Sequence, residues 1–122
     1  MIRVLLADDA EDLRFLVRVT LESDGRFEVV GDATTGTEAI ELLESEEPDV
    51  IVLDMAMPKM DGLEVLAEMK KRGMTTKVLA MSGFNGGVEE KAAALGVDDY
   101  VRKGTIPIAD IVERVVALVP AG

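Results

Sequence analysis

The chain has 122 residues, of which 48% are hydrophobic, and a formal net charge of −11 at pH 7. This length suits a single domain with a sizeable core, and so large an acidic excess opposes binding to nucleic acid or to an anionic membrane surface. The chain contains neither cysteine nor histidine, which excludes disulfides, thiolate nucleophiles, histidine relays and histidine-ligated zinc within it.

Apolar runs of strand length alternate with segments of helical periodicity along the whole chain. Strands are predicted at residues 3–7, 27–31, 50–54, 77–81 and 99–102. A repeated strand–helix alternation predicts one α/β domain over residues 1–122, with a doubly wound parallel sheet, helices on both faces and right-handed crossovers.

Apolar residues at helical spacing predict which face of each helix packs against the sheet. In the first four helices these positions are Leu13, Leu16, Val17, Thr20 and Leu21, then Ala39, Ile40 and Leu43, then Leu63, Leu66 and Met69, then Val88, Ala92 and Leu95. The last helix has the clearest stripe, at Ile108, Ile111, Val112, Val115, Val116 and Val119. Pro48, Gly73, Gly96 and Pro120 indicate helix ends. On the first helix, Phe15 and Val19 fall on the side opposite the core stripe.

The third predicted strand leads directly into Asp54 and is apolar at every preceding position. A strand that is apolar on both faces is typical of the interior of a parallel sheet. Asp54 is therefore predicted at the carboxyl end of a central strand, which is where open α/β sheets bind their ligands.

Four further polar residues follow the other predicted strands: Asp8, Asp9, Ser82 and Lys103. Three carboxylates at one edge of the sheet repel one another, because two unit charges about 4 Å apart cost about 4 kcal/mol at an effective dielectric constant near 20. Mg²⁺, which prefers oxygen ligands, or Lys103 must compensate them. A carboxylate beside a metal, an ammonium and a hydroxyl can attack phosphorus, so Asp54 is predicted to accept a phosphoryl group, assisted by Lys103 and Ser82.

Each of these residues also has an ordinary explanation when it is taken alone. Asp8 and Asp9 suit a helix cap, Asp54 and Ser82 suit turns, and Lys103 suits a solvated surface. Only their joint spacing indicates a functional site.

The chain resembles the receiver domain of two-component response regulators over residues 2–119. The motifs that carry the resemblance are Asp8-Asp9, Asp54-x-x-Met57-Pro58-x-Met60-Asp61-Gly62, Ser82-Gly83, Tyr100 and Lys103. The resemblance implies a flavodoxin-like (βα)5 fold with strand order 2-1-3-4-5, and phosphorylation of Asp54 by a histidine kinase or phosphotransfer protein. It also implies a coupled switch, in which Ser82 moves to the phosphoryl group and Tyr100 swings inward.

The resemblance further implies Mg²⁺ as the cofactor. Its expected ligands are Asp9, Asp54 and the backbone carbonyl of Ala56, with Asp8 helping through water. The implied protein is a signalling domain that assists its own phosphorylation and dephosphorylation and is not an enzyme with a separate substrate. The sequence shows no signal peptide and no stretch of 18 apolar residues, so we expect the protein to be cytoplasmic. Its output is unknown: the chain is either a stand-alone receiver or the N-terminal part of a DNA-binding regulator.

Two positions depart from the family pattern or vary within it. Lys103 is commonly followed by proline in this family, often through a cis bond, whereas here Gly104 follows. A cis bond before a residue other than proline costs roughly 2.5–4 kcal/mol, so this bond is predicted to be trans. Ala56 and Phe84 occupy the positions that tune hydrolysis of the phosphoryl group, and their expected effects oppose each other.

The sequence leaves three alternatives for the function open, as well as the role of one surface. The chain is a phosphorylated switch, a receiver-like interaction module that is not phosphorylated, or a Mg²⁺-dependent aspartyl phosphatase. Against the phosphatase, such enzymes usually place a second acid two residues after the nucleophile, and Ala56 stands there. The surface is that of Phe15 and Val19, which is a candidate docking site for the phosphodonor.

Overall fold

The computed structural model describes residues 1–83 and 87–120 of the chain, and strands and helices alternate strictly within them. The strands are β1 (Ile2–Ala7), β2 (Phe27–Ala33), β3 (Val50–Asp54), β4 (Lys77–Ser82) and β5 (Asp99–Arg102). The helices are α1 (Glu11–Asp24), α2 (Gly36–Glu46), α3 (Gly62–Lys71), α4 (Val88–Ala94) and α5 (Ile108–Leu118).

The five strands form one parallel sheet in the order β2-β1-β3-β4-β5. This arrangement confirms the predicted flavodoxin-like fold. β3 lies at the centre and is buried at all of its positions, as the unbroken apolar run predicts. Because every strand runs in the same direction, the carboxyl ends of all five lie at one edge of the sheet.

Apolar clusters cover both faces of the sheet, so it is doubly wound as predicted. Successive residues of a strand point to opposite faces, and Ile51 belongs to one cluster while Val52 belongs to the other. The first cluster includes Ala39, Ile40 and Leu43 of α2, Leu66 and Met69 of α3, and Ala92 of α4. The second includes Val17 and Leu21 of α1 and Ile111, Val112 and Val115 of α5. These residues are among the predicted core positions.

The prediction that Leu16 faces the core is wrong, since its side chain is 51% exposed. α1 buries Val17 and Leu21, and consecutive helical residues differ by about 100° around the axis, which turns Leu16 away from the sheet. Phe15 and Val19 are 65% and 43% exposed, which confirms that they face solvent. α1 therefore exposes three large apolar side chains.

Strand pairing extends some elements beyond their predicted ends. β2 continues to Ala33 because Asp32 and Ala33 pair with Leu6 and Ala7 of β1, and β4 continues to Ser82 because Ser82 pairs with Arg102 of β5. In residues 1–83 and 87–120, no helix is both long enough and apolar enough for a membrane crossing.

Candidate functional site

The residues predicted to act together meet at the carboxyl edge of the sheet. Asp54 is the last residue of β3 and is only 3% exposed, and Asp8 directly follows β1. The ammonium Nζ of Lys103 lies 3.1 Å from Oδ2 of Asp8 and 3.2 Å from Oδ1 of Asp54. Lys103 therefore bridges two of the three carboxylates.

The third carboxylate, that of Asp9, completes a cluster of oxygen atoms. One carboxylate oxygen from each of Asp8, Asp9 and Asp54 lies within 4.8 Å of the others, with Asp8 and Asp54 buried and Asp9 exposed. Three hard oxygen donors and an excess of negative charge over the single Lys103 ammonium fit a small divalent cation such as Mg²⁺, which binds one or two carboxylates and keeps several waters.

Backbone amides hold two of these carboxylates in place. Oδ1 of Asp8 accepts a hydrogen bond from the N–H of Ala10 at 2.8 Å, and Oδ1 of Asp54 accepts one from the N–H of Ala56 at 3.2 Å. The alternative in which the acidic pair caps the first helix does not hold, because Ala10 occupies the cap position of α1. Asp8 and Asp9 directly precede Ala10, in the loop that faces Lys103.

Burial controls the electrostatics of the site. It raises the pKa of Asp54 to about 6, and the negative charge of Asp8 adds to this rise, whereas the Ala56 amide and Lys103 oppose it. Burial lowers the pKa of Lys103, but the neighbouring Asp54 and Asp8 carboxylates outweigh it and leave that pKa above its usual value. Near neutral pH the site therefore combines a positive ammonium with carboxylates that Lys103 only partly compensates.

Ser82 and Tyr100 lie at different distances from the carboxyl edge of the sheet. Ser82 ends β4 and is 4% exposed, on the strand adjacent to Asp54, and its backbone carbonyl accepts a hydrogen bond from the N–H of Lys103 at 2.8 Å. Tyr100 pairs with Ala80, two residues earlier along β4. Tyr100 is half-buried and packs against the apolar cluster beneath α2, α3 and α4. Ser82 thus belongs to the rim of the sheet and Tyr100 to the interior next to it.

The positions where the sequence departs from or varies within the family pattern have separate outcomes. The bond between Lys103 and Gly104 is trans, as predicted. Ala56 is exposed and adds no bulk beside Asp54, while Phe84 lies outside the described residues.

Arg14 is a residue of the site that the sequence analysis missed. Its Nη1 donates a hydrogen bond to the backbone carbonyl of Asp8 at 2.7 Å, and its Nε lies 3.5 Å from Oδ1 of Asp32 on β2. The only signal in the sequence is an arginine about one and a half helical turns after the acidic pair, which is also common on solvated helices.

Known proteins resemble this chain in sequence. A family model described as the response regulator receiver domain matches residues 4–116. The protein-glutamate methylesterase/protein-glutamine glutaminase 2 of Koribacter versatilis is 34% identical over 122 residues, which cover 95% of this chain and 34% of that protein. The chemotaxis protein CheY of Listeria monocytogenes is 35% identical over 104 residues, which cover 84% of this chain and 87% of that protein.

A solved structure agrees with these sequence relatives. The crystal structure of a DNA-binding response regulator of the LuxR family from Staphylococcus aureus is similar with a TM-score of 0.91 at 35% identity, covering 97% of this chain and 98% of that chain. The chain spans less than half the length of several relatives that it matches, among them the methylesterase. Activities of those longer proteins that reside outside the matched region do not carry over to it.

Proposed function

The chain belongs to the receiver domains of two-component response regulators, and we propose that it is a phosphorylation-dependent switch with Asp54 as the phosphoacceptor. The observation that carries this proposal is the ammonium of Lys103 between Asp8 and Asp54 at the end of a buried central strand. A buried carboxylate beside one cation and two further carboxylates suits the capture of a metal and a phosphoryl group.

The phosphodonor in this proposal is a phosphohistidine of a histidine kinase or phosphotransfer protein. The chain has no histidine, so this donor belongs to a partner. A carboxylate oxygen of Asp54 attacks phosphorus and forms the new O–P bond, while the P–N bond breaks and its electron pair stays on the imidazole nitrogen. Lys103 pairs with one phosphoryl oxygen and Ser82 donates a hydrogen bond to another.

Mg²⁺ is the cofactor that the proposed reaction needs. Asp9, Asp54 and the backbone carbonyl of Ala56 would hold it, with Asp8 assisting through water. The cation supplies positive charge that offsets the negative charge on the phosphoryl oxygens. The mutual proximity of the three carboxylates supports this assignment.

The product, an acyl phosphate, changes the charge and size of the side chain at Asp54. Such a change can order or shift nearby segments. Ser82 moving toward the phosphoryl group and Tyr100 moving inward would transmit the change to the outer surface of β5. The half-buried position of Tyr100 beside β4 supports this route.

The output of the switch is a change in partner binding. The chain acts in the cytoplasm, either as a stand-alone receiver or as the receiver part of a longer regulator that binds DNA through another domain. Its net charge of −11 argues that this chain does not itself contact nucleic acid.

Beryllofluoride, which takes the place of a phosphoryl group, tests the proposal directly. With Mg²⁺ and beryllofluoride, or with Mg²⁺ and acetyl phosphate, we expect a change in the fluorescence of Tyr100, the only tyrosine in a chain without tryptophan. Acetyl phosphate should also add one phosphoryl group to the mass. Asp54→Asn should abolish both signals, and a chelator should abolish them in the wild type.

The outcomes separate the alternatives. A wild-type chain that shows neither signal is a receiver-like interaction module, and the proposal is then wrong. Sustained Mg²⁺-dependent turnover of a small phosphate ester instead identifies an aspartyl phosphatase.

A further inference from the structure

A tight turn follows β5 and contains Lys103. The backbone N–H of Thr105 donates a hydrogen bond to the carbonyl of Arg102 at 3.2 Å, and the hydroxyl of Thr105 donates to the same carbonyl at 2.6 Å. These bonds close a four-residue turn over residues 102–105. Lys103 and Gly104 are its two central residues.

Gly104 has the backbone angle that a type II turn has at its third position. Its φ is +81°, in the left-handed region that glycine adopts without steric cost and that β-branched residues strongly disfavour. A Cβ built on Gly104 would meet no atom within 4 Å. The requirement for glycine therefore comes from the backbone angle alone and not from lack of space.

The turn sets the direction in which the side chain of Lys103 leaves the backbone. On one side, the N–H of Lys103 is fixed to the carbonyl of Ser82 at 2.8 Å. On the other side, the turn at Gly104 leads to Ile106, which packs against the second apolar cluster. The ammonium must nevertheless reach both Asp8 and Asp54 within 3.2 Å.

We propose that Gly104 is a positioning residue, whose left-handed conformation aims Lys103 at the phosphoacceptor Asp54 and at Asp8. This inference rests on the proposed function, because it assigns Lys103 to the phosphoryl oxygens. Gly104 takes the place of a proline in fixing the backbone after the lysine, but through a trans bond and a positive φ.

The test compares two glycines that share one backbone property. Gly96 has a φ of +86° and, like Gly104, would place a Cβ in open space, but it lies between α4 and β5, at the opposite end of the strand. Gly104→Val and Gly96→Val impose the same kind of strain, and urea unfolding measures the loss of stability in each. Gly104→Asn is the rescue variant, because asparagine tolerates the left-handed region better than other side chains.

Two separate readouts distinguish positioning from general damage. Beryllofluoride affinity in saturating Mg²⁺ should fall about tenfold in Gly104→Val, which corresponds to losing roughly one hydrogen bond to a charged group. The affinity for Mg²⁺ alone should not fall, since Lys103 is not a ligand and competes for the same carboxylates. Gly96→Val should match the wild type in both affinities, and Gly104→Asn should regain most of the beryllofluoride affinity.

The inference is overturned if Gly104→Val binds beryllofluoride as tightly as Gly96→Val does, or if it loses affinity for both probes in parallel. If either valine variant fails to fold, the alanine variants Gly104→Ala and Gly96→Ala give the same comparison with less strain. Failure of the wild-type chain to bind beryllofluoride would overturn the proposed function instead, so the two failures are distinguishable.

Discussion

The guanidinium of Arg14 donates a 2.7 Å hydrogen bond to the backbone carbonyl of Asp8. The carboxylate of Asp8 accepts hydrogen bonds from the ammonium of Lys103 and from the N–H of Ala10. The loop that carries Asp8 and Asp9 is thus fixed both through its side chain and through its main chain. The contact with Asp32 ties Arg14 in turn to β2.

Replacing Arg14 should therefore weaken the binding of Mg²⁺. Arg14→Lys keeps the positive charge but cannot contact the Asp8 carbonyl and Asp32 with one planar group. We expect a dissociation constant for Mg²⁺ about tenfold higher, the usual scale when a residue that orients metal ligands is changed. A titration followed by Tyr100 fluorescence measures it.

Arg18→Lys is the matched control for this experiment. Arg18 also pairs with Asp32, and with Glu22, but no hydrogen bond or ion pair of Arg18 with Asp8 is seen in the described part of the chain. Its Mg²⁺ affinity should stay within about twofold of the wild type. Equal losses in the two variants would show that Arg14 acts only through Asp32.

Gly36 should tolerate no side chain, because the start of α2 rests directly on the loop between β3 and α3. A Cβ on Gly36 would lie 2.0 Å from the carbonyl oxygen of Met60 and 2.6 Å from the Met60 Cβ. Gly36→Ala should lower the free energy of unfolding by about 2–3 kcal/mol, as overpacking of a close contact does. Urea denaturation measures this loss.

The exposed neighbour Thr37 provides the comparison in the same helical turn. Thr37→Ala should change the free energy of unfolding by less than about 0.5 kcal/mol. A Gly36→Ala variant as stable as Thr37→Ala would mean that the loop can shift freely away from α2.

The pH dependence of stability should reveal the buried Asp54. Its pKa is about 6 in the folded chain and 3.8 in the reference state, so the folded state holds more protons between these values. Stability attributable to Asp54 is therefore present at pH 4 and is lost as the pH rises toward 6, by on the order of 2 kcal/mol. Urea unfolding without Mg²⁺ from pH 4 to pH 7 measures the slope.

Asp54→Asn isolates this contribution from the other carboxylates of the chain. The pKa values of Asp24, Glu38 and Glu68 are lowered by hydrogen bonds and neighbouring cations, so these groups act in the opposite direction in both proteins. The free energy of unfolding of the wild type minus that of Asp54→Asn should fall as the pH rises from 4 to 6. Parallel profiles would contradict a raised pKa at Asp54.

The exposed apolar residues of α1 should matter for the protein phosphodonor and not for a small one. Phe15 and Val19 lie on the helix that begins beside the acidic loop, where the proposed phosphodonor would approach Asp54. Phe15→Ala should slow transfer from a histidine kinase that phosphorylates the wild-type chain by about tenfold, the loss typical of an aromatic interface anchor. Radiolabel transfer measures the rate.

Acetyl phosphate supplies the internal control, because it needs no docking surface. Its rate of phosphorylation of Phe15→Ala should equal that of the wild type. If transfer from the kinase is also unchanged, α1 is not the docking surface.

Local pattern was sufficient for the parts of this protein that depend on one segment of chain. The short apolar run before Asp54 predicts a central strand because a strand buried on both faces accepts apolar residues at every position, and β3 is buried throughout. The stripe on α5 predicts its buried side because helical spacing alone determines which residues share a face, and Ile111, Val112 and Val115 are buried. The common strand direction then determines that Asp8, Asp54 and Lys103 share one edge.

Properties that depend on two distant segments appeared only in the tertiary structure. Leu16 and Val17 are equally apolar, and only the packing of α1 against the sheet decides that Leu16 is exposed. The ion pairs of Lys103 with Asp8 and Asp54 join the ends of three separate strands. The contact of Arg14 with Asp32 likewise joins α1 to β2. The residue types at the site were thus readable from the sequence, because parallel strands bring their ends together, whereas their aim was decided by contacts that no single segment contains.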